Sequence, residues 1–355
     1  MSKMSRREFL SSLLAGMGAI AVDQVLIACG VKPNLEVPTA TNVPPTSVPS
    51  QPSTPTSTTV SPTKSTSKTS VPTPVQSETA LSPSATPPGM PDLVVARGGE
   101  PEDLVRRALA ALGGIEKFVP KGAKVIVKPN ICVAYHTYEY AATTNPWVVG
   151  ALVKMCLEAG ASSVQVMDYG FGGTPQEAYT ISGIAEQVKA AGGEMAYMPG
   201  FKYITTEIPN GVDLKKSDIF EDILKADVLI DVPIAKHHGE ARLTLGMKNW
   251  MGVIRNRSAI HQNLGQRIAD LNTLIRPKLT VVDAVRILMA NGPTGGDLND
   301  VKKLDTVIAS PDIVAADSYA TTLFGMKPDD IDYIRIGAAM GLGRSDLGSL
   351  KIEEI

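Results

Sequence analysis

Lys124-Val125-Ile126-Val127-Lys128-Pro129-Asn130 reads as a short apolar strand, Lys124 to Lys128, that ends in polar groups. After it, Thr144-Asn145-Pro146 opens a helix whose apolar positions Val149, Leu152, Val153, Cys156 and Leu157 recur at helical spacing, which puts Cys156 in the core. Before it, Leu93 to Val95 forms a strand. Pro101 to Leu112 then forms a helix, with proline in its first turn, Glu102 and Asp103 early, and Gly113 as its stop.

The alternation continues outward. Strands are expected at Ser163 to Asp168, Val228 to Val232, Leu279 to Asp283 and Val307 to Ala309. Helices are expected from Gln262 to Ile275, Pro311 to Phe324 and Pro328 to Met340. Asn210-Gly211 marks a hairpin turn between Tyr203 to Pro209 and Asp213 to Lys215, which adds an antiparallel edge. The fold class is therefore α/β: a mostly parallel or mixed sheet with helices on both faces. One such domain is expected over residues 91–355, preceded by a disordered tether rich in Pro, Ser and Thr.

That tether occupies residues 30–90. Its polar tract from Val37 to Pro88 has almost nothing to bury, so it is expected to stay disordered and to reach on the order of 50 Å or more. Residues 1–29 read as an address. Ser5-Arg6-Arg7-Glu8-Phe9-Leu10 matches the twin-arginine export pattern, and Leu26-Ile27-Ala28-Cys29-Gly30 resembles a lipobox that would place lipid on Cys29. The expected location is the outer face of a bacterial cytoplasmic membrane, with the lipid as anchor. Asp23 within the apolar stretch disfavours a permanent spanning helix.

Composition excludes some classes of function. The 355 residues are 43% hydrophobic and 20% charged with a formal net charge of -2, far from the basic footprint that a nucleic-acid partner demands. Three cysteines, Cys29, Cys132 and Cys156, are too few for a ferredoxin-type cluster or a four-thiolate zinc site.

Chemistry is expected where parallel strands end, because ligands of open α/β sheets gather outside those carboxyl ends. Lys128-Pro129-Asn130, Asp168, Lys236-His237-His238 and Asp283 all stand at such ends. Lys248 is the one charge within the apolar run Leu243 to Ile254, and Asp317 shares a helical face with Ile313, Ala320 and Phe324. Both are expected to be buried, where they either neutralise one another or meet a ligand or metal. The catalytic candidates are His237, His238 and Lys248: His237 or His238 would serve as acid/base or metal ligand, and Lys248, with Lys128 and Lys236, would balance negative charge. A divalent metal could draw on Asp168, His261, Asp283 and Asp317. Lys128, Asn130, Thr144, Asn145, Lys236 and Asn249 would hold a small anionic ligand or cofactor, the helix start at Thr144 adding its free amides. Ordinary capping by Thr144 or Asn145 explains that helix start equally well. The glycine segments at Gly170 and Gly292 lack nucleotide-loop spacing.

Several ordered motifs carry a family resemblance: Val127-Lys128-Pro129-Asn130, Ala142-Thr143-Thr144-Asn145-Pro146, Pro233-Ile234-Ala235-Lys236-His237-His238, Gly246-Met247-Lys248-Asn249 with Met251-Gly252, Val282-Asp283-Ala284, Asn291-Gly292-Pro293 and Ala315-Ala316-Asp317. Together, from about Val94 to Gly343, they resemble the family catalogued as domain of unknown function 362. The resemblance implies no established reaction. Some relatives carry cysteine-rich iron-sulfur modules. This chain shows no such module, so no protein-ligated iron-sulfur cluster is expected. The expected function is an extracytoplasmic enzyme acting on a small anion. The alternatives are a ligand- or cofactor-binding lipoprotein and a maturation or scaffold factor for an exported redox complex.

Overall fold

The structure, a computed structural model, describes residues 89–355. The twin-arginine segment, Cys29 and all but the last two residues of the 30–90 tract lie outside the described residues. No helix among the described residues is long and apolar enough to cross a membrane.

The strands are β1 (Leu93–Arg97), β2 (Lys124–Pro129), β3 (Ser163–Val166), β4 (Glu194–Met195), β5 (Tyr203–Glu207), β6 (Lys216–Phe220), β7 (Val228–Val232), β8 (Ile234–His238), β9 (Arg242–Thr244), β10 (Leu279–Leu288), β11 (Val301–Ser310) and β12 (Ile352–Glu354). Ten of them share one sheet in the order β12-β1-β11-β10-β7-β2-β3-β4, and β8 joins β10 while carrying β9. From β10 to β4 every pairing is parallel. At the other side, β11 runs antiparallel to both β1 and β10.

The helices are α1 (Pro101–Ala111), α2 (Pro146–Glu158), α3 (Pro175–Ile181), α4 (Ile184–Ala190), α5 (Glu221–Lys225), α6 (Gly246–Asn249), α7 (Ser258–His261), α8 (Leu264–Leu274), α9 (Ile313–Thr322) and α10 (Asp332–Ala339). Successive strand residues feed opposite cores, as the two-residue period of a strand requires. Val125, Val127, Val228 and Ile230 pack with α1, α2 and α4. Ile126, Leu229, Val282 and Ile308 pack with α8, α9 and α10. A sheet covered on both faces explains why its strands read as nearly continuous apolar runs. Cys156 is buried on α2, and burial pushes its thiol up to about 12.

Local chemistry sets the helix starts. Asn145 accepts a hydrogen bond from the Trp147 amide, with Pro146 as the first helical residue. Thr174 and Glu177 form a capping box on α3, and Asp312 accepts from the Ala315 amide at the start of α9.

Three elements differ from expectation. β10 and β11 are each ten residues long, because past Asp283 and ahead of Val307 they continue as an antiparallel pair as far as Leu288–Val301. The polar Lys302, Lys303 and Asp305 of that extension break the apolar pattern by which a strand is recognised. The helix expected from Gln262 to Ile275 is α8, which begins only at Leu264, because Asn263 lies outside helical geometry at φ −153° and divides it from the short α7 before it. The hairpin arms β5 and β6 pair from Tyr203–Phe220 to Glu207–Lys216 and form a separate two-stranded sheet. Asp270 holds the intervening turn by accepting from the amides of Val212, Asp213 and Leu214.

Candidate active site

The carboxyl ends of β2 and β7 lie side by side, with Lys128 in register with Asp231. The loop after β3 brings Asp168 to the same place. The chain from β8 through α6 to α7 covers this edge and encloses a cavity of about 540 Å³. Its lining carries Lys128, Lys236, Lys248, Arg255 and Arg257 against a single carboxylate, Asp168. Such an imbalance in a recess favours an anionic ligand.

Lys128 is fully buried. Its Nζ donates to Asp168 Oδ1 at 2.7 Å, Asn249 Oδ1 at 2.9 Å and the Pro129 carbonyl at 2.8 Å, which uses all three of its protons. Asp168 Oδ2 accepts from the Ile131 amide at 2.6 Å. Asn249 completes the corner by donating to the Lys128 carbonyl and to Asp231 Oδ1. Gly252 makes this corner possible, because a Cβ there would stand 2.0 Å from Asp168 Oδ1 and 2.7 Å from Lys128 Nζ.

Lys236 is held differently. Its Nζ reaches Asn130 Oδ1 at 3.0 Å, the Ala142 carbonyl at 2.6 Å, the Pro293 carbonyl at 2.9 Å and Cys132 Sγ at 3.3 Å. Its charge is solvated by dipoles, and no carboxylate among the described residues bonds to it.

Lys248 contrasts with both. It is 9% exposed, lines the cavity, and has no hydrogen-bond or ion-pair partner among the described residues. Burial first, then the Lys236 charge, brings its ammonium down to about 7. Beside it, His238 Nδ1 accepts from the backbone amides of Glu240 and Ala241, both at 3.1 Å. That arrangement leaves the ring proton on Nε2. Burial and the Lys248 and Lys236 charges push His238 down to about 2, so it stays neutral. His261 Nδ1 pairs with Glu240 Oε2 at 2.6 Å at the same wall.

Of the residues singled out from sequence, the cavity brings together Lys128, Asn130, Asp168, Lys236, His238, Lys248, Asn249 and His261. His237, Thr144, Asn145, Asp283 and Asp317 do not line it. His237 Nδ1 accepts from the Gly292 amide at 3.1 Å. Thr144 Oγ1 accepts from the Asn130 amide and donates to the Val232 carbonyl, tying two strand ends together. The α2 N-terminus does meet an anion, but it is the chain's own: Asp283 Oδ2 accepts from the Asn145 amide at 2.7 Å, and Oδ1 from the Val285 amide. Asp317 grips the Gly246 and Met247 amides at 2.7 and 2.8 Å rather than neutralising Lys248. Of the four metal-ligand candidates, Asp168 and His261 line the cavity while Asp283 and Asp317 do not, and among the described residues no three His, Cys, Asp or Glu side chains stand together as a metal-holding group.

Sequence reasoning missed Cys132, Arg257 and Glu240. Arg257 donates to the Tyr169 carbonyl and lies 4.7 Å from the Tyr169 ring centroid. The doubled arginine in Arg255-Asn256-Arg257, directly after the apolar run, was the available signal. Cys132 had none, because its role depends on the neighbour that Lys236 becomes only on folding.

A thylakoid-associated protein of Synechocystis sp. is 26% identical over 253 residues, spanning 67% of this chain and 74% of that protein. Among solved structures, the lactate racemase apoprotein of Thermoanaerobacterium thermosaccharolyticum is similar at TM-score 0.40 and 13% identity. That match covers 60% of this chain but only 53% of the racemase, so the chain spans about half its length. A protein of Thermotoga maritima is similar at TM-score 0.39 and 13% identity, covering 64% and 60% of the two chains. The model of the family described as "Domain of unknown function (DUF362)" matches residues 125–322, more than half of the chain, and the protein therefore belongs to that family.

Proposed function

We propose that the protein is an enzyme acting on a small organic anion in the cavity, tethered by lipid on Cys29 at the extracytoplasmic face of a bacterial membrane. The observation that carries this reading is Lys248, an amine nine-tenths buried, aimed into a recess of excess positive charge and unpartnered among the described residues. An unpaired buried ammonium is costly, and a bound anion offsets that cost. Lys236 and Arg257 supply the lasting positive charge. His238 offers a neutral Nε2 proton as a hydrogen-bond donor, and Lys248 is the group that exchanges protons near neutral pH. The thylakoid-associated relative supports the membrane side of the reading.

A divalent metal is a separate proposal. Asp168 is engaged by Lys128 and the Ile131 amide, which leaves His261 as the more available wall donor, so the ligand would have to bring most of the coordinating atoms.

Calorimetric titration of the purified protein with inorganic phosphate, pyruvate and glyoxylate tests anion binding. Binding that disappears in Lys248→Met, with the fold intact by circular dichroism, is the expected outcome, and absence of binding to all three refutes the reading. Turnover of a panel of small carboxylic and phosphorylated acids, before and after chelation, separates an enzyme from a tethered binding protein and tests the metal. Cys29→Ala should release the protein from membranes, and unchanged association would refute the lipid anchor.

A further inference from the structure

The three lysines of the cavity are not equivalent, and the difference identifies a substrate class. Lys128 directs its three protons at three acceptors, and Lys236 is surrounded by four. Neither nitrogen is free to bond to carbon. Lys248 Nζ faces the cavity uncommitted, with neutral His238 on the same wall and no carboxylate bonded to it. A lysine meant only to hold an anion works best as a permanent cation. One that is desolvated and set beside other cations is instead an activated amine.

On the anion-binding reading above, we propose that Lys248 Nζ is the attacking amine of an imine-forming step, and that the substrate is a small carbonyl acid of the α-oxo carboxylate type. The substrate carboxylate would be held by the Arg257 guanidinium, with Lys236, whose protons are already committed within the chain, contributing only its charge. The neutral amine adds to the carbonyl carbon, forming the C–N bond as the C=O π pair moves onto oxygen. That oxygen takes a proton from the new ammonium, while His238 Nε2 donates a hydrogen bond to it and keeps its own proton. A second proton, equal to the one Lys248 gave up to solvent on becoming neutral and returned from solvent, converts the hydroxyl to departing water, leaving a protonated imine. The net change is ammonium plus carbonyl giving iminium plus water, with no oxidant or reductant required.

The groups facing Lys248 set its pH response. They are Lys236 and His238 on β8, Glu240 in the following turn, Arg257 before α7, His261 and Cys132. Burial and then the cations hold its ammonium down, and Glu240 and Cys132 oppose them. Imine formation should therefore rise with pH through about 7 and level off above it.

The test is reductive trapping. The full chain is incubated with pyruvate or glyoxylate, reduced with sodium cyanoborohydride, and examined by intact mass and peptide mapping. The expected result is one adduct, located on Lys248, lost in Lys248→Met and Lys248→Arg and unchanged in Lys225→Arg, whose side chain is 66% exposed. If pyruvate binds by calorimetry but no adduct forms on Lys248, the imine step is overturned while anion binding stands. Labelling spread over exposed lysines and unchanged in both Lys248 variants overturns it equally. If no probe binds, the anion reading fails and the imine step with it. Melting curves for both variants establish that lost labelling does not reflect lost folding.

Discussion

The cavity has a matched side and an open side. On the matched side, Lys128, Asp168, Asn249 and Lys236 have their donors and acceptors paired within the chain. On the open side, Lys248 and the protonated nitrogen of His238 face space. All are buried to a similar degree, so burial does not separate structural from chemical roles. On the proposed reading pairing does, because a satisfied charge holds its neighbours in place and a buried unsatisfied one would be stabilised by a ligand.

This contrast can be broken by mutation, and the largest effect belongs to the matched side. Asp168→Ala leaves Lys128 charged and buried, and should cost about 3–5 kcal/mol in denaturant unfolding. Gly252→Ala attacks the same corner sterically and should fall in the same class of severe variants. A loss under about 1 kcal/mol for Asp168→Ala would mean that water solvates Lys128 and the corner is not matched.

Asp317→Ala should cost less, about 1–3 kcal/mol, because it orphans two buried amides rather than a charge. Asp283 and Asp317 also sharpen the contrast through pH. Burial raises both to about 7 from 3.8, so between these values the folded chain holds more protons than the unfolded one. Stability should therefore fall as pH rises from about 4 to about 7 and then level off. Urea midpoints across that range should show a smaller decline in Asp283→Asn, and an unaltered decline would assign the pH dependence elsewhere.

The smallest effect on stability should come from Lys248→Met, within about 1 kcal/mol of the parent, because removal of an unpaired buried ammonium orphans no other group. Its loss of anion binding should nevertheless be complete. Strong destabilisation would place Lys248 on the matched side.

The layer order and the strand ends were legible from residue order alone. Apolar runs at Val125, Val228 and Val281 are what a sheet buried on both faces requires, and the polar residues that end them do converge in part at one edge. The direction of each polar side chain was not legible. Asp283 and Asp317 look as functional as Asp168 in sequence, yet their carboxylates close on backbone amides that only the folded chain brings near. The extension of β11 was hidden for a related reason, since its exposed Lys302 and Lys303 are held by an antiparallel partner and need no apolar alternation.

The most direct measurement is the titration of Lys248 itself, followed by NMR of lysine labelled at Cε and Nζ, with Lys248→Met identifying its signal. One lysine should titrate near 7, vanish in that variant, and shift when pyruvate is added. A Lys248 that titrates at the ordinary lysine value of 10.5 and ignores pyruvate would contradict the open, ligand-seeking amine on which the functional reading rests.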